Sequence, residues 1–537
     1  MKTRLLSLLL FCSVFQILPA QLFDWVLAGG GAGNDESYCV TIDTSGGAVI
    51  TGIFSLVADI GGSPVNSSFG YDGYLAEFSP SGNGNWVTSL GGNANEGGHQ
   101  VVADGSGNIY LTGEFEDTLI LGSDTLTGAG GSDIFLARYN NMGVVQWAIA
   151  GGGAGSDASS SISSDASGNI YLTGHFENTF TFGGLGVTSA GGKDMYIARV
   201  TSSGNVTWLT RGGGLADDES KGIATGIAGT SVISGHMDSS ATFGSFNLLN
   251  PGGSKNIFVA EVNSSGQFQW ATQAGGNGSD DSYEVAMDGA ENAYVGGYFH
   301  DTATFGGFTL ISKGNDDAFI AKVNPAGNFV WVVQEGDTSG DRVYGISSDV
   351  NGNVVATGSF EETVSFGGAT LVSSGSKDVF IAAYDSSGNI QWALQGGGPG
   401  FDRGYGIVND DPGNIYVAGI FEDTASFGGT ILNGSGLRDL FLAKIELPVG
   451  IRKQEPGANQ FRVYPVPAGD VLQVMNNSGF NEEGTFSLLD LAGKEVYSLR
   501  FQSETFTAVL SGLESGMYIY MIEYLNRVEC GKIAKGR

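Results

Sequence analysis

The sequence predicts an all-β protein: a seven-bladed β-propeller of four-stranded blades, each one tryptophan interval long, followed by a small C-terminal β-sandwich. Three observations predict it. The seven tryptophans, Trp25, Trp86, Trp147, Trp208, Trp270, Trp331 and Trp392, recur at a single spacing that slips by one position only, between Trp208 and Trp270. A rare residue returning at one period marks one structural unit copied many times, as in propellers, solenoids and arrays. Each copy reads as four short alternating stretches separated by Gly-, Asn- and Asp-rich turns, without helical spacing. Finally, neither end of the array reads as a cap. The first copy opens on a Trp strand at 22–27 and the seventh stops at a third-type strand, 440–444. The segment around Trp25 is therefore expected to pair near Phe441 and close a ring, which removes exposed sheet edges.

The elements follow in chain order. Residues 1–20 read as a signal peptide: Lys2 and Arg4 precede an apolar run at 5–18, and Leu18-Pro19-Ala20 offers a cleavage site. That run is too short to span a membrane, and no later stretch reaches the roughly 18 apolar residues a spanning helix needs. Residues 21–447 are the expected propeller. Ten residues after each Trp stands an acid: Asp35, Glu96, Asp157, Asp218, Asp280, Asp341, Asp402. Further along each copy stands a glycine, Gly52, Gly113, Gly174, Gly235, Gly297, Gly358 or Gly419, and two positions on a large apolar residue. In the second copy the strand signals are 99–103, 109–115, 134–139 and 144–149, joined by Gly-Ser-Gly-Asn and Asn-Met-Gly turns that supply positive-φ positions. The long link between second and third strands reads as a short extra hairpin on one face. The Phe and Trp positions read as core. Residues 448–460, with Pro, Gly and mixed charge, read as a linker. Seven short alternating stretches beyond it suggest the sandwich, at 461–537.

Two sets of motifs carry resemblances. The recurring Asp-x-(Phe/Tyr)-x-Ala strand, Gly-x-x-x-Trp strand, Gly-Gly-Gly-x-Gly-x-Asp loop and Asp-x-x-Gly-Asn-x-Tyr hairpin, over roughly 22–447, resemble the Gly-rich bacterial β-propeller repeat abbreviated SBBP. That resemblance implies a fold and extracellular use, with no common catalytic activity. The C-terminal motifs are Tyr464-Pro465-Val466-Pro467, then Asp470-Val-Leu, Leu489-Asp-Leu-Ala-Gly493-Lys494, Gly516-Met-Tyr518 and Gly531-Lys532. They resemble the type A sorting domain of the type IX secretion system, with Val466 where that family has Asn. The resemblance implies export through the outer membrane, removal of the domain and attachment to surface lipopolysaccharide. The type IX machinery is then a partner, and the location is secreted and cell-surface.

Charge and composition narrow the function. The chain carries −32 overall, and residues 21–449 carry −33, a field that repels phosphate backbones and anionic lipid. Nucleic acid is excluded as a partner; extracellular glycan or protein fits, with the chain expected to be monomeric. Without the signal only Cys39 and Cys530 remain, too few for a disulfide framework or a cysteine metal site. The ring of seven acids is the candidate metal site, with Ca²⁺ the candidate cofactor; carboxylates capping their own turns are the favoured alternative. A similar set, Asp72, Asp133, Asp194, Asp317, Asp378 and Asp439, with Asn256 in the fourth copy, reads as turn chemistry. His175, His236 and His300 read as exposed loop residues. No nucleophile elbow, zinc motif or phosphate loop is present. A binding, adhesin-like or structural role is favoured over an enzyme, the alternative being a polysaccharide-active enzyme with its site on the axial face. The fourth copy departs most from the pattern, at Gly226, Met237 and Asn256, so a site is sought beside it, around Asp217, Asp218 and His236.

Overall fold

A computed structural model describes residues 23–250, 254–410, 413–446, 461–464, 471–476, 484–489, 495–502, 505–513, 516–524 and 527–535. The expected signal peptide and linker lie outside these residues. The chain divides into two compact bodies, Met1–Glu446 and Leu447–Arg537. The described elements are all strands, and among them no helix is long and apolar enough to cross a membrane.

The first body repeats one antiparallel meander. Its first complete copy runs through an inner strand Glu36–Ile42, a second strand Ala48–Ile60, a third Ser63–Phe78 and an outer strand Gly84–Gly92 carrying Trp86, each paired with the next. The last copy holds Arg403–Asn409, Asn414–Phe421 and Asp439–Glu446, and takes its outer strand from the far end of the body. Phe23–Gly31 pairs antiparallel with Asp439–Glu446, with Ala28 opposite Phe441, as the missing-strand argument expects. Each inner strand packs against two others, in the cyclic order Glu36–Ile42, Glu96–Ala103, Ala158–Ser164, Asp218–Thr225, Asp281–Met287, Arg342–Ser348, Arg403–Asn409 and back to the first. The apolar core fills the spaces between successive sheets. One cluster joins Val40, Ile50, Phe54 and Tyr74 to Tyr416, Ala418, Leu440 and Leu442 of the last copy.

The link between second and third strands differs from the expected hairpin on one face. In four copies the two strands simply run on, and the hairpin is their continuation: Ala48–Ile60 turns through Gly61 and Gly62 into Ser63–Phe78. In the others it is a separate short pair, such as Ala241–Phe243 with Phe246–Leu248. Its first arm bonds to the outer strand of the preceding copy, as Gly30 opposite Asp59 and Gly213 opposite Thr242 show. The hairpin thus straps one sheet to the next with backbone hydrogen bonds, a contact invisible to strand periodicity.

The tryptophans also depart from expectation. Six of the seven are half-buried rather than core, and only Trp392 is buried. Each indole but that of Trp392 lies on a positive-φ turn glycine of the next copy, Trp86 on Gly143, Trp147 on Gly204 and Trp208 on Gly266 among them. Its N–H donates to a carbonyl of the same turn: Trp25 to Pro80 O at 3.1 Å, Trp208 to Ser264 O at 3.0 Å. The rare residue recurs because it clamps outer edge to outer edge. Trp208→Ala is expected to lose packing and one hydrogen bond, about 2–3 kcal/mol; Trp208→Phe should lose about 1 kcal/mol, the hydrogen bond alone. Equal denaturation midpoints for both variants would contradict the clamp.

The second body contains seven described strands in two sheets. Phe461–Tyr464, Val471–Asn476 and Thr505–Val509 form one; Gly484–Leu489, Glu495–Phe501, Gly516–Tyr524 and Arg527–Lys535 form the other. Leu472, Val474, Phe486, Leu488, Ala508, Leu510 and Ile522 make its core.

Candidate functional site

The inner strand of every copy carries a β-bulge at one position. Ser37 pairs with Gly52 and Cys39 with Thr51, which leaves Tyr38 unpaired between them. The same shift leaves His99, Ser160, Lys221, Tyr283, Tyr344 and Tyr405 unpaired. The recurring glycine of the second strand, Gly52 in the first copy and Gly419 in the last, faces this bulge. A Cβ there would lie 1.9–2.1 Å from the carbonyl oxygen two positions before the bulged residue, so only glycine fits. A bulge re-aims a side chain, and here all seven re-aimed side chains line one central cavity of about 580 Å³. That volume suits one small ligand or a segment of a polymer.

The cavity wall is unequal. Tyr38, Tyr283, Tyr344 and Tyr405 form an aromatic crescent, with ring centroids 5.4 Å apart for Tyr38–Tyr405, 5.6 Å for Tyr344–Tyr405 and 4.8 Å for Tyr283–Tyr344. Arg342 stacks on Tyr298 at 4.1 Å and Arg403 on Tyr344 at 4.4 Å. The opposite side carries ion pairs: Glu219 meets Lys221 at 2.6 Å and Lys193 at 3.0 Å. Within the cavity, Gln100 Nε2 donates to Glu284 Oε2 at 2.6 Å, joining inner strands three copies apart, and the Cys39 thiol donates to Gln100 Oε1 at 2.8 Å. Burial pushes the Glu284 carboxyl up to about 8 and the Cys39 thiol up to about 12. Burial therefore favours the protonated form of Glu284, the one carboxyl side chain among the described residues lining the cavity.

The seven acids ten residues after Trp stand elsewhere. Asp35, Glu96, Asp157, Asp218, Asp280, Asp341 and Asp402 are almost fully buried. They accept backbone N–H bonds from their own turn and from the end of the second strand twenty residues on: Asp280 from Gly276 N at 2.8 Å and His300 N at 3.0 Å, Asp402 from Gly398 N at 2.7 Å and Glu422 N at 3.1 Å. Ca²⁺ needs six to eight oxygens, and among the described residues no three acidic, His or Cys groups gather to hold a metal. The set does not fit a shared cation ring. Six of the seven instead stand beside a second acid, as Asp35 does with Asp439 across Gly30 and Asp402 with Asp378 across Gly397; Asp280 faces Asn256 across Gly275. Burial first, and the second acid or another neighbour less, raises Asp35 and Asp280 to about 6 and Glu96, Asp157, Asp218, Asp341 and Asp402 to about 7.

The histidines correct another expectation. His236 is buried, its Nδ1 3.1 Å from Asp281 Oδ1 and its Nε2 3.1 Å from Lys255 Nζ. His175 is part-buried beside Glu219 at 3.9 Å, and burial lowers its imidazole to about 4. His300 has the most exposed side chain of the three. Beside the fourth copy, Asp217 accepts from Lys193 N at 3.0 Å and Asp218 from Gly214 N at 2.6 Å, so both serve local structure. The bulge residues escaped the sequence reading although a signal existed. Their residue type varies from copy to copy, while the acid before them and the glycine after them barely do.

Of the sorting-motif residues, Pro465, Pro467, Gly493 and Lys494 lie outside the described residues. Tyr464, Gly516, Gly531 and Lys532 lie on strands, with Gly531 opposite Tyr520 and Lys532 opposite Ile519, and Tyr518 joins the core.

Fold and motifs together define an exported, surface-attached chain built on a β-propeller repeat. Residues 462–535 match the secretion system C-terminal sorting domain family, and residues 269–298 match the β-propeller repeat family. The sorting domain addresses the chain to the type IX secretion machinery and to attachment at the cell surface. Curated relatives include an uncharacterized WD repeat-containing protein of Acanthamoeba polyphaga mimivirus, 20% identical over 74% of this chain and 36% of the relative. Another is the regulatory protein FlaEY of Caulobacter vibrioides, 25% identical over 62% of this chain and 37% of the relative. The chain thus spans little more than a third of the length of these relatives. Among solved structures, PorZ, a surface component of the type-IX secretion system of Porphyromonas gingivalis, is 12% identical, with 96% of this chain and 75% of that one covered at a TM-score of 0.23.

Proposed function

We propose that this chain is a surface-displayed, seven-bladed β-propeller that binds an extracellular saccharide in its axial cavity. In this reading residues 21–447 are the propeller, 448–460 a linker, and 461–537 a sandwich-type sorting domain. The observation that carries it is the bulge row. Seven copies keep the glycine that creates the bulge and vary the side chain it aims, so the scaffold is repeated and the cavity is not. A crescent of tyrosines in edge-to-face and tilted contact, with arginines beside it, suits sugar rings, which present an apolar face and a hydroxyl edge. Hydrolysis is the weaker reading. A glycosidase needs two carboxylates about 5–10 Å apart, and Glu284 has no second carboxylate beside it among the described lining residues.

The test is the full chain on a polysaccharide and glycan array, with Ca²⁺ and with chelator. Binding that falls tenfold or more in Tyr344→Ala and Tyr405→Ala, and persists in chelator, is the expected result. Binding unchanged by both substitutions would remove the cavity from the proposal. Dependence on Ca²⁺ would return the paired acids to consideration as cation ligands.

A further inference from the structure

Three arginines stand about the cavity and its rim, and two of them are satisfied by carboxylates. Arg342 directs Nε and Nη2 at Asp316 Oδ2, and its Nη1 donates to the Tyr283 hydroxyl at 3.3 Å. Arg438 bonds Glu36 at 3.0 Å and Glu422 at 3.1 Å. Arg403 occupies the same repeat position as Arg342, next after the recurring acid, and lines the cavity. Its Nη1 donates to the Tyr405 hydroxyl at 2.9 Å, its Nε is buried without a partner, and no carboxylate lies within ion-pair distance among the described residues. The cause is a single change between copies. Where one copy has Asp316 ahead of Trp331, the next has Lys377 at the same place ahead of Trp392. Lys377 turns to Glu361 at 3.5 Å and to the Gly340 carbonyl at 3.2 Å. One arginine fork is therefore filled by an acid of the copy before it, and the next is left open among Tyr344, Phe401 and Tyr405, with ring centroids 4.4, 4.7 and 5.2 Å away.

An arginine fork matches a planar carboxylate in two parallel hydrogen bonds, and stacked rings keep the guanidinium flat and poorly hydrated. Arg138 and Arg199 also have a buried Nε without a partner and no acid in ion-pair distance among the described residues; what sets Arg403 apart is that it lines the cavity beside Tyr344 and Tyr405. We propose that the axial cavity takes an acidic saccharide, its uronate carboxylate paired with Arg403 and its ring laid against Tyr344 and Tyr405. This rests on the saccharide-binding reading above and adds the charge of the sugar to it. The long-range field of the protein opposes an anion, but it is screened beyond about 10 Å at 0.1 M salt, while the contact pair in the cavity is not.

The test uses the full chain and calorimetric titration with galacturonate, glucuronate and mannuronate oligosaccharides, each beside its carboxyl-reduced neutral partner, and with a sulfated saccharide. At least one uronate should bind tenfold or more tightly than its reduced partner. Arg403→Gln should abolish that preference, so that each uronate and its reduced partner bind alike. Lys377→Asp, which restores the acid of the preceding copy, should close the fork and reduce uronate binding tenfold while the far-ultraviolet circular dichroism stays that of the wild type. The second variant guards against a misfolded Arg403→Gln. Equal binding of acidic and reduced sugars by the wild type overturns the acidic assignment and leaves saccharide binding standing. Preference for the sulfated sugar over every uronate overturns the carboxylate. Binding of none overturns both readings.

Discussion

Gly358→Ala is expected to destabilise the first body by at least about 3 kcal/mol, the scale of a clash that a packed interior cannot relieve by rotamer change. The added Cβ would lie 1.9 Å from the Arg342 carbonyl oxygen and 2.7 Å from Phe380 Cε1. The oxygen belongs to the backbone of the bulged inner strand, where Val343 pairs with Gly358 and Gly345 with Thr357. That strand can move only by flattening the bulge. Flattening would turn Tyr344 out of the cavity wall, so binding should fall together with stability. Gly307→Ala is the control: nothing stands within 4 Å of its Cβ position, and its φ is ordinary. It should change stability by less than about 0.5 kcal/mol. Chemical denaturation of the two variants decides the matter, and similar midpoints would show that the bulge yields.

The second large effect is on pH. The seven loop acids carry carboxyls raised to about 6 or 7 by burial, against about 4 in an unfolded chain. A carboxyl raised in the folded state binds its proton more tightly there than in the unfolded chain. Its contribution is complete below about pH 4 and is lost as pH rises through 6 to 7. Glu284, at about 8, extends the loss upward. Asp165 and Asp288, lowered by hydrogen bonds in their turns, act in the opposite sense and lose their contribution in acid. Stability should therefore peak near pH 4–5, and the thermal midpoint should fall by about 5 °C or more between pH 5 and pH 8. Asp378→Asn separates this cause from others. Asp378 faces Asp402 across Gly397, and the fourth copy already has Asn256 in the corresponding place beside Asp280. The amide keeps an oxygen for Ser374 N–H, now 3.0 Å from Asp378 Oδ2, and removes one charge from the pair. The midpoint should rise at pH 8 and barely change at pH 5. A rise of equal size at both values would assign the effect to packing instead.

Much of the fold was legible because the signals are local and repeated. Alternation and turn residues act over short stretches of chain, so seven copies reinforce each strand. The missing outer strand of the last copy could be counted, and Phe23–Gly31 supplies it. The bond from each acid to an N–H of its own turn is local in the same way, as Asp280 to Gly276 N, whereas the bond to His300 N joins it to another strand.

What joins one copy to another was not legible. Whether Trp208 is core or clamp depends on Gly266 and Ser264, which belong to the next copy. His236 reads as a loop residue until Asp281 and Lys255 surround it. The candidate site shows this most plainly. The sequence determined by itself the repeat, the strand order and the sorting motifs, because each depends on neighbours in the chain, and the ring-closing strand, because the repeat leaves one strand missing at its end and one spare at its start. Only the tertiary structure decided that Tyr38, Tyr283, Tyr344 and Tyr405 meet, that Gln100 reaches Glu284, and that Arg403 has no acid in ion-pair distance among the described residues. A bulge turns one side chain by its own backbone, but which seven side chains share a cavity is set by how the sheets pack around the centre, and that packing sums contacts across the whole body.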